Sequence, residues 1–223
     1  MNYDLLPLLL SLELASLTTI ILLILGIPIA HWLAFTHSRM KLFFHTLIAL
    51  PLVLPPSVIG FYLLLLFSPA NSFGKFLEAN FNLRLVFSFE GLLVGSVLFG
   101  FPFMINPIAS SFENCPRSFI EVAYTLGKSK WETVWKVILP YSKPAIITAI
   151  VMTFAHTIGE FGLVLMLGGS IPGKTRLASI AIYQEVEMLR YESAHFYSLV
   201  ILAFSFSLLF LLQLSQYKRK ENF

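Results

Sequence analysis

Five long apolar stretches, at residues 14–36, 42–67, 91–112, 144–169 and 196–217, constrain the fold of this chain more than any other feature of its sequence. Four hold no Asp, Glu, Lys or Arg, and 144–169 is interrupted only by Glu160. A hydrocarbon core about 30 Å thick is crossed by about 20 helical residues, and helix pairs every backbone amide inside lipid. Each stretch is therefore read as a span. The chain is 57% hydrophobic and 12% charged, against about 25% charged for a soluble domain. No polar stretch is long enough for a separate core. The expected fold is all-α: a polytopic membrane helical bundle of about five helices, forming one domain over residues 1–223.

The connections carry the orientation. Arg39, Lys41, Arg117, Lys128, Lys130, Lys136, Lys143, Lys218, Arg219 and Lys220 fall on one side, and Lys75, Arg84, Lys174, Arg176 and Arg190 on the other. Ten basic residues against five predict a cytoplasmic C-terminus and an external N-terminus. The net charge of +3 is thus a topology signal, not the basic stripe of a nucleic-acid binder. No basic residue precedes the first span and no small-residue cleavage site follows it, so it is expected to remain in the mature protein. Cys115 is the only cysteine, which excludes an intrachain disulfide and a cysteine metal cluster.

The third connection, residues 113–143, has the pattern of two short helices. Ser118 and Glu121 follow Pro116 with capping-box spacing, Phe119, Val122, Ala123 and Leu126 share one face, and Gly127 ends the turn. Ser129 and Glu132 repeat the start signal, Trp131, Val134 and Trp135 give a second apolar face, and Pro140 and Pro144 close it. Such a knob, greasy on one side with a basic rim, suits a partner with a cleft. The competing reading is an amphipathic hairpin resting on lipid headgroups.

Glu121-Val122-Ala123, Gly127, Val137 and Leu139-Pro140 resemble the signature of ATP-binding-cassette importer permeases: E-A-A, three residues, G, nine residues, I-x-L-P. Val122 replaces the middle alanine and Val137 the isoleucine, with the spacing intact. The resemblance implies a type I permease fold in which 113–143 is the coupling-helix loop. Ser118, Glu121, Val122, Ala123, Leu126, Gly127, Trp131, Leu139 and Pro140 would then meet a groove of a cytoplasmic ATP-binding subunit. Small Ala123 and Gly127 would allow close approach, and rigid movement of the partner would tilt the attached spans.

Within the spans, Pro51, Pro55 and Pro56 each remove an amide donor, so a kink is expected beside Ser57. The freed carbonyls favour a place facing protein or a cavity. A pathway wall or gate hinge and an ordinary packed kink are both open. Glu160 costs about 3 kcal/mol at bilayer depth and is expected to face away from lipid. His156 stands one turn earlier, where an i, i+4 hydrogen bond is within reach, and Gly159 and Gly162 flank the acid, allowing close approach or a break. A hydrogen-bond anchor is favoured over substrate contact, and the pair is too small for a metal site. Residues 168–175 fit G-x-x-x-x-G-K-[ST], but a span and not a strand precedes them and Pro172 lacks an amide, so a turn at the outer mouth is expected instead.

Several of these segments are similar to molybdate and tungstate permeases: His156-Thr157-Ile158-Gly159-Glu160-Phe161-Gly162, Ile171-Pro172-Gly173-Lys174-Thr175, Leu54-Pro55-Pro56-Ser57-Val58-Ile59-Gly60-Phe61-Tyr62 and Ala181-Ile182-Tyr183. Sulfate permeases have related segments. The resemblance implies a homodimer in the cell inner membrane, two cytoplasmic ATP-binding subunits that carry ATP and magnesium, and an external binding protein delivering molybdate or tungstate. The chain itself would bind no cofactor and catalyse nothing. Pro55, Pro56, Ser57, His156, Thr157, Gly159 and Glu160 are candidate pathway or gate residues, and Lys174, Thr175 and Arg176 candidate outer-loop contacts. The rivals are a sulfate-type permease, and a secondary transporter or channel, against which stand the lack of an internal repeat and the single acid in the spans. No Ser/His/Asp, paired-acid or metal constellation at depth favours a membrane-embedded enzyme.

Overall fold

Lipid offers a backbone no hydrogen bonds, so a chain of this composition has little choice beyond helix. The structure, a computed structural model, describes residues 4–221 apart from the side chains at 215 and 218–221, so the basic tail Lys218, Arg219 and Lys220 lies outside the described side chains. Among the described residues eleven α-helices follow one another: α1 (Leu6–Phe35), α2 (Met40–Ala49), α3 (Pro56–Phe67), α4 (Ser72–Phe81), α5 (Phe89–Glu113), α6 (Arg117–Thr125), α7 (Lys130–Thr133), α8 (Leu139–Gly159), α9 (Gly162–Gly168), α10 (Ala178–Glu187) and α11 (Tyr191–Glu221). Four helical stretches are long and apolar enough to cross a membrane: Leu6–Phe35, Phe89–Glu113, Lys130–Gly159 and Tyr191–Leu214.

The second expected span is more than kinked. Met40–Leu52 and Pro56–Phe67 meet at 109° and are long and apolar enough for a span only as one broken pair. α3 alone, with 12 residues, reaches only about 18 Å at 1.5 Å per residue. Pro55 holds φ −56° and ψ 136°, the extended setting that a following proline favours, so the helix cannot run through. The fourth expected span is also corrected. It does not continue to Gly169 but ends at Gly159, breaks at Glu160 and Phe161, and resumes as α9. Its start is corrected in the other direction. Pro140 and Pro144 do not close the loop helix, because α7 passes through a π-turn at Val134–Ile138 straight into α8. The Leu139 amide bonds back to the Val134 carbonyl, and this wider turn leaves room for a proline ring where an α-turn would clash. Lys130–Gly159 is therefore a single rod of 30 residues.

Packing centres on α5, which lies against α1, α8 and α9. In lipid, close backbone approach and interhelical hydrogen bonds replace the hydrophobic drive between helices. Gly26 and Gly100 accordingly sit where Met104 and Leu22 press in. One apolar cluster includes Leu22, Leu33, Met104, Ile108, Phe112 and Ile138, and the other includes Leu14, Leu63, Leu92, Leu163, Leu167 and Ile180. At the first end the ammonium of Lys41 meets the Glu113 carboxylate at 2.7 Å, joining the starts and stops of α2 and α5. At the other, Tyr197 donates to the Asp4 carbonyl at 2.7 Å and the Ala178 amide to Ser11 Oγ at 2.9 Å. The sequence-assigned cytoplasmic and external loops thus gather at two separate ends.

Candidate functional site: a helical knob and a broken helix

The loop expected to bind a partner folds as a helix-turn-helix. Gly127 has φ +73°, and the Gly127 and Lys128 amides donate to the Tyr124 and Ala123 carbonyls, both at 3.0 Å. That pair of bonds is a Schellman ending, which needs the left-handed residue that glycine supplies most readily. Ser129 and Glu132 then form the expected capping box. The first expected box does not form. Pro116 takes the N-cap position of α6 with no side-chain cap, so Ser118 sits inside the helix and has no orphan amide to receive.

The apolar residues of the knob divide. Ala123 and Val134 are buried, whereas Leu126 is 72% and Trp131 73% exposed, and Phe119, Val122 and Trp135 are at least half exposed. Arg117, Lys128, Lys130 and Lys136 are exposed around them. Ser118, Glu121 and Pro140 are exposed as well, and Leu139 is half-buried. The base of the knob is fixed by Tyr141, whose hydroxyl donates to the Asn114 carbonyl at 3.2 Å. Glu132 accepts from Lys136 at 2.9 Å and Lys128 at 3.5 Å as well as from the Ser129 amide. The Lys136 hydrogen bond first, then the Ser129 amide and the two lysine charges, lower its pKa to about 2.

At the other end of the rod the two segments flagged separately in the sequence come together. An added Cβ on Gly162 would lie 3.1 Å from the Ser57 amide nitrogen and 3.2 Å from Pro56 Cβ. One on Gly60 would lie 2.9 Å from Leu163 Cα. Two helix starts, α3 and α9, are thereby pressed backbone to backbone, with Pro55, Pro56, Ser57 and Gly159 exposed beside them. Glu160, 4% exposed, accepts from Ser96 Oγ at 3.0 Å through Oε2, and its own carbonyl accepts from Ser179 Oγ at 2.7 Å. That carbonyl bond to α10 satisfies a group the interrupted helix leaves bare.

The expected His156–Glu160 hydrogen bond is absent. The imidazole stacks on Phe103 with centroids 3.9 Å apart and lies 5.2 Å from Phe99. Aromatic packing from α5 has taken the ring. Thr157 is buried, its hydroxyl donating to the Thr153 carbonyl at 2.9 Å. The elbow between α2 and α3 opens an apolar groove of about 740 Å³ lined by residues including Trp32, Phe44, Pro51, Leu54 and Phe101. Its lining holds no charged side chain.

In the loop between α9 and α10, Lys174 is exposed. Thr175 is fully buried and offers no outer contact: it donates to the Gly168 carbonyl at 2.7 Å and accepts from the Ile171 amide at 3.0 Å. Arg176 is held by Glu185 at 3.1 Å and Gln184 at 3.0 Å. Tyr141, Ser96, Ser179 and Phe103 carry much of this geometry, yet only their partners in space distinguish them from other span residues.

A helical knob continuous with a long apolar helix, and a helix pair bent by 109° and packed against α9, are the frame of a polytopic transport permease. Residues 16–220 match the family described as the binding-protein-dependent transport system inner membrane component. The chain belongs to this family, the permeases of ATP-binding-cassette importers. It is 45% identical to the molybdenum transport system permease protein ModB of Azotobacter vinelandii over 96% of this chain and 95% of that one. It is 30% identical to the putative molybdenum transport system permease protein YvgM of Bacillus subtilis, over 93% and 91%. The sulfate transport system permease protein CysT of Escherichia coli is 33% identical, over 74% of this chain and 59% of its own. In fold, the chain resembles a chain of the inward-facing MetNI methionine transporter (TM-score 0.73, 13% identity, 93% and 91% covered). It also resembles a chain of a bacterial alginate transporter in complex with a periplasmic protein (TM-score 0.78, 15% identity, 95% and 77% covered).

Proposed function

We propose that this permease carries molybdate or tungstate across the cell inner membrane, with the force supplied by separate ATP-binding subunits. Two copies would enclose the pathway, two ATP-binding subunits holding ATP and magnesium would grip one knob each, and an external binding protein would deliver the anion. The observation that carries the coupling half of this reading is the exposed apolar tip of the knob, with Leu126, Trp131 and Trp135 facing outward on a scaffold of buried Ala123 and Val134. Such a patch ringed by lysines fits a cleft in a partner better than water. The rod Lys130–Gly159 then carries any displacement of the knob to the break beside Pro56 and Ser57. Closure of the ATP-binding subunits draws the knobs together and opens the pathway outward, and hydrolysis resets it inward.

Substrate choice rests on the relatives: the match to the Azotobacter vinelandii molybdenum permease runs over 96% of the chain, while that to the Escherichia coli sulfate permease runs over 74%. The clustering of Arg39, Lys41 and the knob lysines at one end supports a cytoplasmic knob and C-terminus and an external N-terminus. Reconstitution of the chain with its ATP-binding partner and delivery protein tests the assignment. Hydrolysis is expected to rise when the delivery protein carries molybdate or tungstate. A response to sulfate alone selects the sulfate reading, and no response to any oxyanion removes the substrate assignment.

A further inference from the structure

α5 presents three residues to the end of the rod. Ser96, Phe99 and Phe103 are spaced three and four apart, so they share one face of the helix. Through them α5 holds both polar side chains near the break: Ser96 bonds the Glu160 carboxyl at 3.0 Å, and Phe103 and Phe99 flank the His156 ring. Yet each polar group keeps one atom bare. Glu160 Oε1 and His156 Nε2 are buried with no hydrogen-bond partner among the described residues. Buried polar atoms are normally paired, and an unpaired one calls for an explanation.

Backbone geometry places the two within reach of each other. Glu160 has φ −68° and departs from helix only in ψ, at 129°. Its Cβ therefore still lies in helical register with His156, four residues back, where Cβ atoms are about 5–6 Å apart. What keeps them apart is the stack on Phe103. The hinge beside them has room, since an added Cβ on Gly159 would meet no atom within 4 Å.

We propose that Glu160 and His156 form a two-position latch that joins the rod to the gate. In the position described here, both are docked on α5. In the second, α8 tilts off α5, the imidazole leaves Phe103, and its Nε2–H donates to the Glu160 carboxylate, so neither group is left bare as the interface opens. No proton is transferred, because Ser96 Oγ–H and His156 Nε2–H are alternative donors to one carboxyl group. Both act as positioning residues: they set how readily α8 parts from α5, and α9 and α3 follow across the break.

The latch builds on the reading of the chain as a transport subunit, but its test uses no oxyanion. In the full transporter, spin labels replace Lys75 on α4 and Arg190 after α10, both exposed. Doubly labelled chains are diluted into unlabelled ones, and the intrachain distance is measured with and without ATP. Two distances are expected. Ser96→Ala should raise the population of the second about fivefold, the size of one hydrogen bond. His156→Phe, which keeps the stack and loses Nε2, should lower it by about the same factor. Ser96→Thr should restore the original ratio. A general loss of packing would move both variants in one direction, so shifts of the same sign overturn the latch, as does a single unchanged distance in all three proteins. If Ser96→Ala fails to assemble, the loss or retention of the second distance in His156→Phe decides. A failed latch leaves the molybdate assignment standing, and a failed oxyanion response leaves the latch standing.

Discussion

Gly127 has a job that its sequence neighbours cannot take over. At φ +73° a side chain costs about 1–2 kcal/mol, and the two closing bonds of α6 depend on that conformation. Gly127→Leu is expected to leave the circular-dichroism helix content nearly unchanged while co-purification of the ATP-binding subunit and transport both fall. Intact coupling in that variant would contradict the knob's role. Glu132 gives the knob an acid-resistant clasp. Its folded pKa of about 2 lies below the ordinary value of about 4.3, so its contribution is fully present above pH 4.3 and fades as pH falls toward 2. A titration of the carbon-13-labelled carboxyl should show no transition between pH 4 and 8, and Lys136→Ala should raise the midpoint. Residues such as Gly127, Ser129 and Glu132 were legible in the sequence because their bonds are local. Ser96 lies 64 residues from Glu160, and no pattern in the chain announces that pairing.

Among the elements, helix existence was readable and helix breaks were only half so. Three prolines and two glycines marked where α3 and α9 begin, but not that the two beginnings would abut. That contact is a property of the packed bundle, made possible by Gly60 against the Leu163 backbone. Gly60→Val should push α3 off α9, destabilising the bundle by about 1–3 kcal/mol as overpacking does, and thermal unfolding of the purified chain should report a lower midpoint. The continuity of α7 with α8 was misread for the opposite reason. Pro140 and Pro144 looked like stops, yet a π-turn absorbs the first and the second sits inside α8 without ending it.

For the whole molecule, apolar length was enough to give the class, since it follows from the bilayer as solvent, and the charge distribution predicts an orientation. A thiol reagent that cannot cross membranes checks that orientation in right-side-out vesicles. A cysteine at Lys174 should react from outside, one at Lys128 only after permeabilisation, and buried Cys115 in neither case. Labelling of the Lys128 site from outside, with the Lys174 site reacting only after permeabilisation, would reverse the assignment of sides.

The rod from Lys130 to Gly159 also sets a rule about length. Each residue of helix turns the chain by about 100°, so adding or deleting one between the π-turn and Gly159 would spin the knob around the axis relative to the break, pointing Trp131 at the wrong neighbour. Insertions should be refused in the rod, which makes the helix a gauge as much as a lever.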